Sequence, residues 1–258
     1  SKVRDAAAEA LEAALQVVAQ RESMDDYLQQ ALQQISSGFA ANTLEKNLSS
    51  LIITDIIVNG VISPQDLHNT IVAADLADDL IWKVLQRRDS KDEAVRQKVI
   101  EIIPNIADAF PSTFIHSNYF MKDDIFLNYC LNFLMSTIRA KKLRPVAYLS
   151  LGNLCLNMAN QLRSSSITDD VVTVICEGFR EPFCVEALDC LGLIVSSCVN
   201  VRKFVDDQMV DLAFKGGLTP SVVECMKTLV KYVPAVRENV QSQLRLHISK
   251  VLRKYNVL

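Results

Sequence analysis

Residues 92–114 read DEAVRQKVIEIIPNIADAFPSTF, and the spacing of their apolar side chains predicts an α-helix. The apolar residues recur at i, i+4, i+7, i+8 and i+11, which places them on one face of a helix. They are Val95, Val99, Ile102, Ile103 and Ile106. Similar spacing continues along the chain, so the sequence predicts about twelve helices and no sheet. The expected helices lie at residues 2–21, 24–37, 43–59, 64–87, 91–108, 118–140, 145–161, 167–178, 182–198, 202–214, 220–232 and 236–255.

The overall composition agrees with a helical protein. The 258 residues include only seven glycines and seven prolines, less than half the usual share of these turn-forming residues. Half of the residues are apolar and 22% are charged, which is typical of globular proteins rather than disordered ones. No apolar run approaches the roughly 18 residues of a membrane span, and no leader pattern begins the chain. The net charge of −3 disfavours a general nucleic-acid binder.

The sequence contains an odd number of cysteines, and none of them form a C-x-x-C pair. Most lie within apolar helical stretches, which favours buried free thiols in a reducing, cytoplasmic compartment. The three histidines lie far from any paired cysteine, so we predict no metal site. A hydrolase that uses a Cys–His pair such as His116 and Cys130 is a rarer alternative. The cysteines are Cys130, Cys155, Cys176, Cys184, Cys190, Cys198 and Cys225.

Similar apolar segments recur every 38 to 52 residues, with equivalent positions at Ala7, Leu51, Val99, Leu151, Leu191 and Leu229. Periods of about 40 to 47 residues are typical of HEAT and armadillo repeats, in which one helix pair buries its apolar face against the next. We therefore predict an all-α fold: a right-handed α-solenoid of about six HEAT/armadillo-like helix pairs, with residues 1–258 forming one segment. Small residues should let neighbouring helices approach closely, at Ala7, Ala147, Gly152, Ala187 and Gly192.

Both ends of the chain lack a polar capping repeat, so we expect a fragment of a longer superhelix. Its two ends should then be apolar and prone to self-association. The expected end residues are Val3, Ala7 and Leu11 at one end and Leu244, Ile248 and Val251 at the other.

Several polar and aromatic clusters have a functional and a structural interpretation, and the structural one is favoured for each. The basic cluster Arg139, Lys141, Lys142 and Arg144 suits an acidic partner or phosphate, but it also complements a helix C-terminus. The basic residues of the last helix, Arg245, His247, Lys250, Arg253 and Lys254, are expected to be solvated rather than to bind nucleic acid. Serines 164–166 are interpreted as a turn. Phe114, Tyr119 and Phe120 are expected to pack between repeats. We predict no catalytic, cofactor-binding or metal-binding residue, and no cofactor.

Several of these segments resemble the N-terminal HEAT region of the TOR (target of rapamycin) protein kinases. Within residues 92–114 the resemblance rests on Ile-Pro at 103–104, Ala-Phe-Pro at 109–111 and Ser-Thr-Phe at 112–114. Residues 82–91 (WKVLQRRDSK), 119–152 and 3–22 are similar to neighbouring family segments, in the same order. Around residues 68–79 this chain is much shorter than the animal members of the family.

The resemblance implies a non-catalytic part of a large serine/threonine kinase of the phosphatidylinositol-kinase-related family. Such a segment would bind Raptor-like or Rictor-like accessory subunits and other TOR protomers in a cytoplasmic complex, which also meets endomembranes and controls growth in response to nutrients. It would bind no nucleic acid and would not insert into a membrane. The sequence contains no glycine-rich nucleotide loop, His-Arg-Asp or Asp-Phe-Gly motif of a kinase site. A free-standing HEAT or armadillo adaptor or transport factor is the alternative.

Overall fold

A computed structural model describes residues 24–61, 76–116, 125–164, 168–180 and 182–254, together with Ala10 and Ala13. The described residues form helices and short connections, and none of them forms a strand. The all-α prediction is therefore confirmed for this part of the chain. The α-helices are α1 (Met24–Ala41), α2 (Leu44–Ile56), α3 (Leu76–Leu85), α4 (Glu93–Ala109), α5 (Pro111–Ile115), α6 (Phe126–Arg139), α7 (Arg144–Asn157), α8 (Thr168–Gly178), α9 (Glu186–Ser197), α10 (Asp207–Ala213), α11 (Pro220–Tyr232) and α12 (Arg237–Lys254).

The helix bounds agree best with the prediction where the chain carries a clear start signal. Helix α11 was expected at residues 220–232 and has those bounds. Thr219 is its N-cap, because the hydroxyl accepts a hydrogen bond from Val222 N at 3.2 Å, and Pro220 occupies the first turn. Residues 2–21 lie outside the described residues, apart from Ala10 and Ala13, which are helical, so that expected helix stays a prediction.

Several predicted helices are shorter or interrupted in the structure, and the spans 202–214 and 182–198 are examples. The span 202–214 was wrong as a single helix, because a 3-10 turn (Val199–Phe204) ends before α10 begins. Asp206 starts the new helix, since its carboxylate accepts a hydrogen bond from Met209 N at 2.9 Å. The span 182–198 was also too long, since α9 starts only at Glu186.

Helix α4 contains a proline in its interior. It runs through Pro104 to Ala109, in agreement with the predicted span 91–108. A proline inside a helix removes one backbone donor, but Ile102, Ile103 and Ile106 are buried around it, and this packing holds the helix together. The true end is at Phe110, and Pro111 begins the short helix α5, which the periodicity did not predict.

The chain divides into two compact units, Ser1–Tyr129 and Cys130–Leu258. In the first, α2 packs against both α1 and α4. Ser50 Oγ donates a hydrogen bond to Ile35 O of α1 at 3.0 Å. Asp55 joins α2 to α4, because its carboxylate pairs with the Lys98 ammonium and accepts a hydrogen bond from Asn105 Nδ2 at 3.0 Å.

In the second unit, α9 lies between α7 and α11 and packs against both. Thus α7 contacts α9 and α9 contacts α11, each two places further along the chain, as α2 contacts α4. The equivalent positions of the predicted repeat lie on these helices, and each described one has no solvent exposure: Leu51, Val99, Leu151, Leu191 and Leu229. The periodicity thus identified buried positions on these helices correctly.

The two predicted close-approach glycines differ. A methyl group added at Gly152 would lie 3.0 Å from Cys190 Cα and 3.0 Å from Leu193 Cδ1, so α7 and α9 meet closely there. At Gly192, the equivalent position of the next repeat, an added methyl would meet nothing within 4 Å. The close-approach interpretation is confirmed for Gly152 and is wrong for Gly192.

Candidate interaction surface

No group of three or more His, Cys, Asp or Glu side chains among the described residues is arranged to hold a metal ion. Cys130, which a Cys–His hydrolase would require, is completely buried, whereas His116 is exposed. Within the residues described, no helix is both long and apolar enough to cross a bilayer.

The cysteines behave as small core residues. Six of the seven free thiols are buried, and Cys176 is half-buried. Burial raises the pKa of the Cys184 thiol to about 11, with a further contribution from its hydrogen bond to Glu186, and raises that of Cys225 to about 12. A raised pKa keeps a thiol protonated and unreactive near neutral pH. The prediction of buried free thiols is confirmed for all except Cys176.

Arg144 does not belong to a solvated basic cluster. Its side chain is buried. One guanidinium nitrogen donates to Glu177 O at 2.7 Å and another to Pro182 O at 3.0 Å, and the group also lies over the Tyr148 ring. Glu177 is in the last turn of α8, so Arg144 caps the C-terminus of that helix. The prediction that this cluster complements a helix C-terminus holds for Arg144. The helix that it caps is α8, which follows α7, and not α6, which precedes it.

The other clusters fall partly outside the described residues. Phe114 is buried, with its ring centroid 6.0 Å from that of Phe126, as packing between helices requires. Tyr119, Phe120 and serines 165–166 lie outside the described residues. The basic residues of α12 are exposed except His247, whose ring packs 5.1 Å from that of Phe214.

A polar cavity of about 450 Å³ lies where α1 ends and α2 begins, beside residues 86–92. Asn47 is almost fully buried there, and its amide nitrogen donates to Asn42 Oδ1 at 3.2 Å. Arg87 reaches Phe39 O at 2.7 Å, and burial lowers the pKa of its guanidinium. The lining mixes both charges, so it selects no particular ligand: Asn42, Asn47, Gln86, Arg87, Asp89, Ser90, Lys91 and Asp92.

A second cavity, of about 500 Å³, runs along α11 and α12, and we call it the C-terminal groove. Apolar side chains form its floor and polar ones its rim. It is lined by Val223, Met226, Lys227 and Val230 of α11 and by Arg237, Val240, Gln241 and Leu244 of α12.

The apolar face of α12 continues beyond this groove. Val240, Leu244, Ile248 and Val251 follow one another at spacings of four, four and three residues, which keeps them on one side of the helix. Val240 is buried, whereas Ile248 and Val251 are 46% and 45% exposed. The predicted apolar C-terminal end is confirmed, while Val3, Ala7 and Leu11 lie outside the described residues. The α11 wall was missed, because no local signal indicates which helix faces α12.

No protein-family model matches the chain. Its sequence is 26% identical to a serine/threonine-protein kinase mTor of Drosophila melanogaster over 180 residues, which cover 66% of this chain and 7% of that protein. It is 22% identical to a serine/threonine-protein kinase TOR of Oryza sativa subsp. japonica over 265 residues, covering 99% of this chain and 10% of that kinase. A TOR kinase of Arabidopsis thaliana is 23% identical over 176 residues, covering 66% of this chain and 7% of its own length.

These matches relate the chain to a segment of the TOR serine/threonine kinases, as the sequence motifs predict. The chain spans a tenth or less of the length of these relatives.

Proposed function

We propose that this chain is a non-catalytic scaffold segment of a TOR-type kinase and that it helps assemble the TOR complex. The observation that carries the proposal is the similarity to the rice TOR kinase, which extends along 99% of the chain. Because the chain spans only 10% of that kinase, the catalytic site belongs to another part of the polypeptide in this proposal. The sequence contains no nucleotide-binding loop or catalytic motif of a kinase, which also supports placing the catalytic site in another part of the polypeptide.

The proposed architecture is a right-handed solenoid of about six HEAT-like helix pairs that forms a single segment. The support comes from packing within each unit: α2 against α4, and α9 against α7 and α11. In a stack of repeats, equivalent helices of successive repeats contact each other, and the buried positions Leu151, Leu191 and Leu229 recur on such helices.

The proposed partners are other proteins: Raptor-like or Rictor-like accessory subunits and other TOR protomers. Stacked helix pairs expose long ridges, on which partners dock through many modest contacts. The protonated, buried thiols fit a reducing cytoplasmic location, with contact to endomembranes through the complex. The complex would act in the nutrient control of growth.

Deleting this segment from the full-length kinase tests the scaffold role. The deleted kinase should pull down less of the accessory subunits, while the distant catalytic domain still phosphorylates a peptide substrate. Undiminished accessory-subunit binding would contradict the proposal.

The non-catalytic role has its own test on the isolated chain. Titration with ATP and magnesium should give no saturable binding, and incubation with labelled ATP should transfer no phosphate. A saturable, magnesium-dependent ATP site would contradict this part of the proposal.

A further inference from the structure

Ser90 lies in the connection between a 3-10 turn (Gln86–Asp89) and helix α4. Its side chain is half-buried, and Lys91, Asp92 and Glu93, which follow it, are exposed. A serine followed by a glutamate three residues later has the spacing of a capping box. The structure does not use the pair in that way, because the N-cap of α4 is Asp92. Capping therefore does not account for the spacing of Ser90 and Glu93.

The backbone is extended at Ser90 and at Asp92. Ser90 has φ −55° and ψ 143°, and Asp92 has φ −81° and ψ 122°. The Ser90 hydroxyl accepts a hydrogen bond from Asp92 N at 3.2 Å, which is near the long limit for such a bond. Phosphoryl transfer needs an acceptor hydroxyl in line with the γ-phosphorus of ATP inside a kinase cleft. An extended segment enters such a cleft more easily than a helix, which is about 10 Å wide.

The two arginines before Ser90 are held in place by packing. Arg87 donates a hydrogen bond to Phe39 O at 2.7 Å, and its guanidinium lies over the Phe39 ring. The Arg88 guanidinium lies 4.4 Å from the centroid of the Tyr129 ring. Both arginines also belong to the 3-10 turn. A kinase that selects arginines before its acceptor would therefore have to undo this packing.

The carboxylates after Ser90 are accessible. The Glu93 side chain is 64% exposed and approaches the Arg96 guanidinium at 3.7 Å. Asp92 is exposed and makes no side-chain capping bond. A kinase with basic side chains beside its acceptor site can therefore contact both carboxylates while α4 stays folded.

The surroundings of Ser90 also suit the product. The Arg96 guanidinium donates hydrogen bonds to Ser90 O at 2.5 Å and to Lys91 O at 2.9 Å, so a cation lies beside the residue. Ser90 also precedes the N-terminus of α4, where negative charge is favourable. Before modification, residues 87–93 carry three cations and three carboxylates. A phosphate adds a charge of about −2 near neutral pH, so it would turn a neutral loop into an acidic one.

We propose that Ser90 is a phosphorylation site for a serine kinase that selects carboxylates after its acceptor. The Ser90 hydroxyl oxygen attacks the γ-phosphorus of ATP, and the bond from that phosphorus to the bridging oxygen breaks, which releases ADP. The hydroxyl proton passes to a base of the kinase. The inference goes beyond the scaffold role and does not depend on it.

A second serine in the chain is a matched control. Among the described residues, Ser90 and Ser221 are the serines that have a carboxylate three residues later. Ser221 lies in the first turn of α11, and its partner Glu224 pairs with Lys227 Nζ at 2.6 Å. The spacing alone would select both serines, whereas the structure selects Ser90.

The first experiment incubates the whole chain with ATP, magnesium and casein kinase II, an acidophilic serine kinase. Mass spectrometry of the peptides should find a phosphate on Ser90 and at least about tenfold less on Ser221, since the helix must open first. The cAMP-dependent protein kinase, which selects arginines, should modify a synthetic peptide of residues 84–95. It should modify Ser90 of the folded chain at least about tenfold more slowly, because Arg87 and Arg88 are held.

Variants identify the side chains that are recognised. Ser90→Ala should remove the phosphate from this peptide. Glu93→Gln keeps the shape of the side chain but loses its charge, so transfer to Ser90 should slow about tenfold. Glu224→Gln makes the same change in α11 and should leave transfer to Ser90 unchanged. Circular dichroism checks that the variants keep their helix content.

Three results would overturn the inference: no phosphate on Ser90, equal phosphate on Ser90 and Ser221, or equal effects of Glu93→Gln and Glu224→Gln. Equal rates of the cAMP-dependent kinase on the folded chain and on the peptide would assign the site to a basophilic kinase instead. Each of these results leaves the scaffold role untouched, because that role is decided by the deletion in the full-length kinase.

Discussion

Arg144 is a polar side chain that joins parts of the second unit far apart in sequence. It is buried, and its two hydrogen bonds go to the backbone carbonyls of Glu177 and Pro182, 33 and 38 residues away. Those carbonyls lie at and after the end of α8, where a helix leaves its last acceptors without intrahelical donors. Arg144 therefore fixes the end of α8 against the start of α7.

Arg144→Ala should lower the free energy of unfolding by about 2 to 3 kcal/mol, because two buried acceptors lose a charged donor. Arg139→Ala is the matched control. That side chain is half exposed and only approaches Glu177 at 3.7 Å, so its loss should cost less than about 1 kcal/mol. Urea denaturation measures both values, and equal losses would contradict the buried-anchor role of Arg144.

At the scale of the element, the structure depends on how closely successive repeat helices approach. Gly152 and Gly192 occupy equivalent positions one residue after Leu151 and Leu191. The first faces the backbone of α9, and the second faces open space. Equivalence in sequence therefore does not mean an equal fit between helices.

Gly192→Ala should raise the free energy of unfolding by about 0.5 to 1 kcal/mol, because alanine is the better helix former and its methyl meets no neighbour. Gly152→Ala should lower it by about 1 to 3 kcal/mol, since α7 and α9 must move apart. The two variants can be compared by thermal or urea unfolding. Effects of the same sign would show that the spacing between these helices is wrongly described.

The link between α2 and α4 is a second element-scale feature. The Asp55–Lys98 pair is partly buried, with side-chain exposures of 18% and 23%, whereas Glu224 and Lys227 are 70% and 66% exposed within one helix. A double-mutant cycle with alanine at Asp55 and Lys98 should give a coupling energy of about 1 to 2 kcal/mol. The cycle for Glu224 and Lys227 should give about 0.3 to 0.5 kcal/mol. A stronger coupling in the exposed pair would be the contradictory result.

How far the fold could be predicted depended on whether the deciding signal was local. Thr219 and Pro220 are adjacent to the helix that they start, and α11 was predicted to the residue. The break at Asp206 was missed, because the apolar period continues across it and the capping bond forms only when the turn is in place. The helix through Pro104 was predicted, because the apolar period continues across the proline, and the buried residues around it agree with that span.

The candidate surface, too, could be predicted only where the signal was local. Its α12 stripe was predicted, because Leu244, Ile248 and Val251 share one helical face. The facing wall of Val223 and Met226, and the capping partner of Arg144, depend on contacts between segments far apart in sequence. A periodic pattern contains no information on such pairings.

At the scale of the whole molecule, the buried thiols make stability depend on alkaline pH. Burial raises the pKa of Cys184 to about 11 and that of Cys225 to about 12, whereas an unfolded thiol titrates near about 8.5. Above that pH the unfolded state loses protons that the native state keeps. Stability is therefore full below about pH 8.5 and falls as the pH rises through the native values.

The urea midpoint should consequently fall between pH 8 and pH 11, and the native chain should react slowly with a thiol reagent at pH 8. Burial also raises the pKa of Tyr148 to about 12, which steepens the fall above pH 10. A Cys184→Ala, Cys225→Ala double variant should show a shallower dependence on pH than the unmodified chain. A dependence that the double variant leaves unchanged would assign the effect to other groups.

The position of α9 between α7 and α11 sets an order for local opening in the second unit. Freeing α9 breaks its extensive packing against both α7 and α11, whereas α12 packs only lightly against α10 and α11. In hydrogen–deuterium exchange, the amides of α12 beyond Leu244 should therefore exchange first. Those around Leu191 should exchange only with global unfolding of the unit, making α9 its slowest-exchanging helix.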